Sequence, residues 1–300
     1  MKPNPIPAVE AFTILTMLGC YLLFAVATVW LPQISVLLAI GVTTFAIALH
    51  SSLQHEALHG HPTRIAWINE LLVLPAVGLF VPYRRFRALH LAHHHDEILT
   101  DPYDDPESNF TDPAIWAKTP GWKQALLRLN NTLLGRILIG PGLSTHVLLR
   151  SDIGLIARGD RSVLIGWVMH ALGLLPVIWW ASSIATLPVW AYVLSAYLGY
   201  GLLKIRTYLE HRAHDAPSSR TVIVEDRGPL AFLFLNNNYH IVHHSHPGEP
   251  WYRMQALYYA DPERYRRMNG GYVYRNYAEI FRKHFLWAKD PVPHPLMKAR

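Results

Sequence analysis

The chain has 300 residues, of which 51% are apolar and only 16% are charged, and its mean hydropathy is +0.13. Soluble domains usually carry about 25% charged residues, so this composition argues against a soluble protein and favours a membrane protein. The single cysteine, Cys20, excludes an internal disulfide, a cysteine-ligated zinc site and an iron–sulfur cluster. The net charge of +6 would suit nucleic acid in a soluble protein, but here we expect it to face anionic lipid.

Four apolar stretches of the sequence are long enough to cross a bilayer as helices, which takes about 20 residues. They occupy residues 8–31, 34–53, 163–183 and 187–209. Only a few uncharged residues separate the two members of each pair, so each pair is predicted to form a helical hairpin. We therefore predict an all-α integral membrane fold, with four transmembrane helices arranged as two hairpins in a single domain over residues 1–300.

The distribution of basic residues predicts the orientation of these spans. Neither hairpin turn contains lysine or arginine, whereas eleven lie between the second and third spans and thirteen follow the fourth. Because basic residues accumulate on the cytoplasmic side, both termini and the segments 54–162 and 210–300 are expected there, forming a helical cap. Within the cap, 69–82 is apolar but too short to span, and 122–149 is amphipathic and interrupted at residues 140–142. We expect both to lie at the membrane interface, with one of them as a fifth span being the alternative.

Eighteen histidines are present, and eight of them form three clusters with helical spacing. Spacings of three and four residues return to one face of a helix, so each cluster directs its imidazoles into one volume. All three clusters fall in the segments expected on the cytoplasmic side. A neutral imidazole is a metal ligand, whereas the alternative, a histidine-rich surface patch, does not require this repeated spacing. The clusters are His55 and His59, then His90, His93 and His94, and finally His240, His243 and His244.

Angular position separates the remaining histidines from the clusters. His95 falls on the opposite side of a helix from His90, and His246 falls off the face of the third cluster. His211 directly follows the fourth span and is a candidate ninth ligand, whereas His214 lies farther from the bilayer and is less favoured. The isolated histidines are expected to be ordinary residues: His50, His146, His170, His284 and His294.

The number of imidazoles indicates a site with two ions. Eight exceed the roughly four to six ligands of one ion, and nine shared by two ions leave an open position on each, which catalysis requires. Iron suits the site better than zinc, because zinc has no redox chemistry. Three other residues are candidates for supporting roles: Glu56 and Glu210 for orienting an imidazole or moving a proton, and Asn236 for an amide or water contact.

The order HxxxH, HxxHH and a distal HxxHH, distributed over four apolar spans, resembles the membrane fatty acid desaturase superfamily, which includes acyl-lipid desaturases, alkane hydroxylases and carotenoid ketolases. The resemblance covers nearly the whole chain. It implies a di-iron site on the cytoplasmic face, dioxygen as the oxidant and a substrate channel that opens from the bilayer. Carried over by position, it implies these metal ligands: His55, His59, His90, His93, His94, His211, His240, His243 and His244.

The resemblance also implies a reaction, in which a dioxygen-dependent di-iron desaturase removes two hydrogens from an acyl chain or another alkyl substrate at the membrane. Spacing alone does not separate this desaturase from a hydroxylase or ketolase of an alkane, lipid or carotenoid. A desaturase of a small aminoalkyl compound is a further alternative, because the TDPYDDPES stretch resembles such bacterial branches. No flavin, haem or iron–sulfur motif is present, so electrons are expected from an external donor such as ferredoxin. The expected location is the inner membrane of a bacterium.

Three alternatives stay open at this point. The acidic stretch after the second cluster, which includes Asp101 and Asp105, is either a set of partners for ligand N–H groups or a solvated loop. The basic residues Arg264, Arg266 and Arg267 either dock an acidic donor such as ferredoxin or face anionic lipid. A histidine-rich metal transporter is the alternative from another class, but its ligands would lie near the middle of the spans rather than beyond their ends.

Overall fold

The computed structural model describes residues 6 and 8–297, and within them the chain is mostly helical, as predicted. The only sheet among these residues is a parallel pair, in which β1 (Ile223–Val224) lies beside β2 (Val273–Tyr274). Short 3₁₀ turns lie at Leu31–Gln33, Asp96–Ile98 and Pro217–Arg220. The α-helices are α1 (Ala11–Val29), α2 (Val36–Leu58), α3 (Ala66–Leu72), α4 (Tyr83–His93), α5 (Pro113–Lys118), α6 (Gly121–Asn130), α7 (Leu133–Leu138), α8 (Gly140–Ala157), α9 (Arg161–Ser183), α10 (Val189–Thr207), α11 (Pro229–Leu233), α12 (His240–Ser245), α13 (Trp251–Ala260), α14 (Pro262–Met268) and α15 (Tyr277–His284).

The chain forms two compact units. The first unit comprises the described residues up to Arg87, together with Ser144–Tyr200 and Gly248–Tyr252. The second unit comprises Ala88–Leu143, Gly201–Pro247 and the described residues from Arg253 onward.

Among the described residues, three helices are long and apolar enough to cross a membrane: Ala11–Gln33, Val36–Leu58 and Arg161–Ser183. They correspond to the first three predicted spans. The fourth predicted span forms α10, but Lys204 and Arg206 occupy its last turn and reduce its apolar character. A fourth span therefore stays a prediction.

The apolar surface of α1 and α9 is what a lipid environment would cover. In α1 the side chains of Phe12, Leu15 and Leu22 are each more than 60% exposed, and in α9 the side chain of Leu175 is 61% exposed. The opposite faces pack into an apolar core with α2 and the start of α10, built around Phe24, Ile47, Val177, Ala191 and Tyr192. Continuous exposed apolar surface of this kind marks a face that meets lipid or a partner rather than water.

The second helix is longer than predicted. It begins after Ser35, whose hydroxyl accepts a hydrogen bond from the N–H of Leu38, and it ends at Leu58 rather than at residue 53. The apolar run stops at residue 53 because polar side chains follow, but the helix continues through buried His55 and Glu56. The first histidine cluster consequently lies on the last turn and the C-terminal cap of α2.

The two predicted hairpin turns lie at the same end of the first unit. The carbonyl of Thr28 accepts hydrogen bonds from the N–H groups of Thr186 and Leu187, both at 3.0 Å. The hydroxyl of Thr28 also accepts a bond from the indole N–H of Trp180 at 2.9 Å. These contacts tie the turn after α1 to the turn after α9.

Of the two segments predicted to lie at the interface, 69–82 is only partly helical, whereas 122–149 is helical apart from the short breaks between α6, α7 and α8. Residues 69–82 contain the end of α3 and then an irregular segment that packs on α9, where Ala76 donates to the carbonyl of Gly173 at 3.0 Å. A side chain at position 173 would meet the Leu74 carbonyl oxygen at 2.2 Å, so this close approach requires glycine. The predicted interruption at residues 140–142 coincides with the boundary between α7 and α8, because a proline is tolerated in the first turn of a helix.

A buried ion pair joins α4 to α8 inside the first unit. The guanidinium of Arg85 donates two bonds of 2.8 Å to the carboxylate of Asp152, which also accepts a bond from the indole N–H of Trp167 at 2.9 Å. Both charged residues are buried. Their geometry satisfies the carboxylate fully, so removal of one partner would leave the other charge buried without compensation.

We predict that Asp152→Ala destabilises the protein by about 3–5 kcal/mol, because Arg85 loses its buried counter-charge. Thermal unfolding of the purified protein in detergent measures the loss. Glu263→Ala is the matched control, since its ion pair with Arg266 is exposed and should contribute less than about 1 kcal/mol. Equal losses in the two variants would contradict the prediction.

Candidate metal centre

Seven of the nine predicted ligands lie together in the second unit, on three separate parts of the chain. His90 and His93 lie on the last turns of α4, and His94 follows directly. His211 follows α10, and the third cluster lies on the short helix α12. The histidines at positions 90, 93, 240 and 243 are each at most 3% exposed. The helical spacing therefore does place the imidazoles of the second and third clusters in one buried group.

Four of these imidazoles converge on one point. His211 Nε2 lies 2.8 Å from His93 Nε2 and 3.2 Å from His240 Nε2. With His244, they offer four nitrogen atoms that all lie within 4.8 Å of one another. Four imidazole nitrogens at this separation can hold one metal ion of the size of iron or zinc.

A second point of convergence involves the other three. His94 Nε2 lies 3.0 Å from His90 Nε2 and 3.1 Å from His243 Nε2. The rings of His94 and His244 stack at a centroid distance of 4.4 Å, so the two groups are neighbours. The second unit thus has two adjacent places where imidazole nitrogens meet.

Hydrogen bonds behind three of the rings place a proton on the nitrogen that faces away from the point of convergence. His93 Nδ1 lies 2.7 Å from a carboxylate oxygen of Asp105, and His90 Nδ1 lies 3.1 Å from Glu107. His240 Nδ1 lies 2.9 Å from the amide oxygen of Asn237. Because these oxygens accept, the Nδ1 atoms donate, and in the neutral form of each ring the Nε2 atom presents its lone pair to the point of convergence.

The converging nitrogens would be more stable with a cation between them than without one. Lone pairs that face one another at about 3 Å repel, unless a proton or a cation lies between them. A metal ion converts the repulsion into coordination bonds, and the carboxylates behind the rings raise the basicity of the ligands. The donor set, with imidazoles in front and carboxylate or amide acceptors behind, could hold a metal ion.

The electrostatics of the group agree with this assignment. Burial, together with the neighbouring imidazoles His93 and His244, holds the pKa values of His211 and His240 well below the usual range, so both rings are neutral. His93 differs: burial disfavours its charged form, but Glu107 and Asp105 outweigh burial and raise its pKa to about 9. His93 is therefore the ring on which a shared proton resides when no cation is present.

The first cluster belongs to the first unit. His55 lies on the last turn of α2 and His59 forms the cap, and their ring centroids are 4.8 Å apart. His55 is buried, and its Nδ1 lies 3.7 Å from the carboxylate of Glu56. Glu56 also accepts a hydrogen bond of 3.0 Å from the backbone N–H of Trp251, at the start of α13. The carboxylate of Glu56 therefore lies beside the predicted ligand His55 and also holds the start of α13 in place.

Glu210 and Asn236 have less direct contacts with the imidazoles of the second unit. Glu210 is buried and lies 2.8 Å from the guanidinium of Arg206 and 3.8 Å from His240 Nδ1. Asn236 adopts a left-handed backbone conformation, with φ of 56°, which asparagine tolerates better than most residues. The amide that holds His240 is that of the next residue, Asn237.

The histidines outside the nine have other surroundings. His95 is exposed, as its angular position predicted. His246 contacts the hydroxyl of Tyr265 at 3.2 Å, and His214 accepts a hydrogen bond from a backbone N–H two residues later. Four of the five isolated histidines bond to groups other than imidazoles, and the fifth is exposed: His50, His170, His284 and His294, and the exposed His146.

Three contributors to the site were not assigned from sequence. Asp105 was one member of an acidic stretch with two open interpretations, and its bond to His93 favours the role of partner to a ligand. Glu107 and Asn237 were not singled out. Glu107 lies 17 residues after His90 and carries no periodic signal, whereas Asn237 lies three residues before His240, which a search for polar residues one turn before each cluster would have found.

Comparison with known proteins agrees with the geometry. The family model described as fatty acid desaturase matches residues 28–276. A beta-carotene ketolase from Paracoccus sp. (strain PC1) is 25% identical over 256 residues, which cover 78% of this chain and 86% of the ketolase. The family match spans more than half of the chain and includes all three histidine clusters. The chain therefore belongs to the fatty acid desaturase family.

Proposed function

We propose that the protein is a dioxygen-dependent di-iron desaturase, which removes two hydrogens from an acyl chain or another alkyl substrate at the membrane. One observation carries the proposal. In a member of this family, His93, His211 and His240 present converging Nε2 lone pairs, and buried Asp105 and Asn237 fix the tautomers of two of these rings from behind.

The proposed ligands of the two irons are the nine predicted histidines. One ion takes the set His93, His211, His240 and His244, whose nitrogens converge within the second unit. The second ion takes nitrogens from His90, His94 and His243, and the family resemblance adds His55 and His59. When bound, iron supplies the redox chemistry that activates dioxygen, which zinc does not have.

The overall reaction balances with two external electrons. Desaturation converts a –CH₂–CH₂– unit, dioxygen, two electrons and two protons into a –CH=CH– unit and two molecules of water. The protein holds the ligand set in place for this reaction. Asp105 orients His93, and Lys289 donates a bond of 2.6 Å to the backbone carbonyl of His211, which anchors a ligand that lies outside any helix.

Oxygen insertion is the second candidate, because the relative at 25% identity is a beta-carotene ketolase. Hydroxylation converts a C–H bond, dioxygen, two electrons and two protons into an alcohol and one molecule of water. Two such insertions at one carbon, followed by loss of water, give a ketone. The ligands serve desaturation and insertion equally, so the position of the substrate carbon decides between them. A lipid, a carotenoid and a small aminoalkyl compound are the candidate substrates.

The proposed setting is the inner membrane of a bacterium, with four spans and with both termini and the histidines on the cytoplasmic side. The basic segments between and after the spans support this orientation. An external donor such as ferredoxin is proposed to supply the electrons. Of the basic residues considered for docking, Arg266 pairs with Glu225 and Glu263, which leaves Arg264 and Arg267 as exposed charges for an acidic donor or for anionic lipid.

We predict that the purified protein contains about two non-haem irons per chain, and that His93→Ala lowers this content to about one or less. His93 is buried and faces two other imidazoles, so its loss opens one ligand set. Elemental analysis and haem absorption are the measurements. His95→Ala is the control and should retain the iron, because its side chain is exposed. Haem absorption, or a single labile zinc, would refute the di-iron proposal.

A second prediction concerns the carboxylate behind His93. Asp105→Ala should weaken iron binding about 10–100-fold, because the ring loses the acceptor that fixes its tautomer and orientation. Competition with a chelator during iron titration measures the change. Asp104→Ala, which removes the exposed neighbouring carboxylate, should leave the affinity unchanged. Equal affinities in both variants would show that Asp105 does not support a ligand.

A third prediction separates the candidate reactions. Membranes that contain the wild-type protein, supplied with ferredoxin, a reductant and dioxygen, should convert lipids or carotenoids into products that mass spectrometry distinguishes. Loss of two hydrogens identifies desaturation, gain of one oxygen identifies hydroxylation, and replacement of two hydrogens by one oxygen identifies a ketolase. His93→Ala membranes are the control. An iron-loaded protein that changes no lipid, carotenoid or aminoalkyl compound would contradict the proposed function.

A further inference from the structure

A row of tyrosines begins beside the third histidine cluster. Tyr239 directly precedes His240, and both Tyr239 and Tyr258 are completely buried. The ring centroids of Tyr258 and Tyr259 are 5.0 Å apart, and the ring centroid of Tyr239 lies 5.1 Å from that of Tyr258 and 6.1 Å from that of Tyr259. Tyr259 is 40% exposed. The three rings therefore form a continuous series of contacts. It begins at Tyr239, the chain neighbour of the proposed ligand His240, and ends at the solvent-exposed Tyr259.

Tyr258 has a proton acceptor within hydrogen-bond distance. Its hydroxyl donates a bond of 2.5 Å to Glu225 Oε1, which also accepts a bond of 2.6 Å from Arg266. Partial burial acts in the opposite direction, but the bonds from Tyr258 and Arg266 lower the pKa of Glu225, so the carboxylate is ionised. A buried phenol that loses an electron must also lose its proton, because a buried positive charge is costly. The carboxylate beside Tyr258 meets this requirement.

We propose that Tyr239, Tyr258 and Tyr259 form a path that carries oxidising equivalents from the metal centre to the surface when no substrate reacts. The proposal rests on the proposed function, because the oxidised centre formed with dioxygen is the electron acceptor. The path would protect the ligands, since an oxidant that meets no alkyl chain would otherwise attack the imidazoles around it.

Electrons and protons balance along this path. Tyr258 gives one electron to the oxidised centre through the ring of Tyr239, which keeps its proton and is not itself oxidised; the O–H bond of Tyr258 breaks and its proton forms an O–H bond on Glu225. Tyr259 then gives one electron to Tyr258, Glu225 returns the proton, and Tyr259 releases its own proton to solvent. A soluble one-electron reductant such as ascorbate restores Tyr259. The net result is one electron and one proton from the reductant for each oxidising equivalent removed.

The direction of transfer follows from the chemistry of phenols. A tyrosine gives an electron only to a strong oxidant, and a tyrosine that has not been oxidised accepts no electron from a biological donor. The row therefore does not relay electrons from an external donor to resting iron. It acts only after an oxidant has formed, and its exposed end beside the cation Arg227 is where an anionic reductant such as ascorbate would arrive.

The test is electron paramagnetic resonance of the purified protein, loaded with iron(II), exposed to dioxygen without alkyl substrate and then frozen. Wild-type protein should give a neutral tyrosyl radical that ascorbate removes. Tyr258→Phe, which keeps the packed ring but not the hydroxyl, should lose this signal. Glu225→Gln, which removes the proton acceptor without changing the rings, should also lose it.

The matched control is Tyr274→Phe. Tyr274 is a buried tyrosine of the same unit whose hydroxyl contacts His284 at 3.0 Å, but it contacts none of the three tyrosines of the row. This variant should retain the full signal. Absence of a radical in the wild type, or equal signals in the wild type, Tyr258→Phe and Glu225→Gln, would overturn the path.

Product formation separates this proposal from the proposed function. A protein that forms the radical but oxidises no alkyl substrate would support the row and refute the function. A protein that oxidises substrate but never forms a radical would support the function and refute the row. The Tyr258→Phe protein should still form product, and it should become inactive after fewer turnovers than the Tyr274→Phe protein.

Discussion

The repulsion between converging imidazole nitrogens is the constraint on which the second unit depends. The Nε2 atom of His211 lies about 3 Å from the Nε2 atoms of both His93 and His240, an arrangement that only a proton or a cation stabilises. Unopposed, the rings would rotate apart or exchange tautomers. Hydrogen bonds at the opposite nitrogens prevent this, because Asp105 and Asn237 accept from Nδ1 and leave no alternative donor. Two of the three proposed ligands, His93 and His240, are thus held in place by groups that would not themselves touch an ion.

The backbone just before α12 adopts an unfavourable conformation where it leads into the third histidine cluster. Leu235 and Asn236 have φ values of 48° and 56°, and consecutive left-handed residues other than glycine cost about 1 kcal/mol or more each. Several contacts offset this cost. Asn238 donates a bond of 2.6 Å to the carbonyl of Val224 on β1, and Ile241 donates to Val222 at 3.2 Å. The two-residue strand is short, but it anchors the helix that carries the third cluster.

Periodicity predicted the parts of the site that repeat along a helix, and it missed the parts that do not. His90, His93 and His94 were found because spacings of three and four residues leave a visible signal, and the first three spans were found because apolar length is visible too. Glu107 reaches His90 across a loop of irregular backbone, and no spacing rule relates the two. The end of α2 was missed because the helix continues for five residues beyond its apolar run, through the polar residues His55 and Glu56.

Charge balance explains why the carboxylates of the second unit have different partners. Neutral imidazoles bring no negative charge to a pair of divalent cations, so compensation must come from farther out. Asp105 and Glu107 supply it, because each bonds to the back of a ligand and neither has an arginine partner among the ion pairs of the described residues. Glu210 pairs with Arg206, and Glu225 pairs with Arg266, so an arginine already balances the negative charge of each. Asp105 and Glu107 would therefore stabilise the proposed cations, whereas Glu225, ionised but balanced, is suited to the proton transfer proposed above.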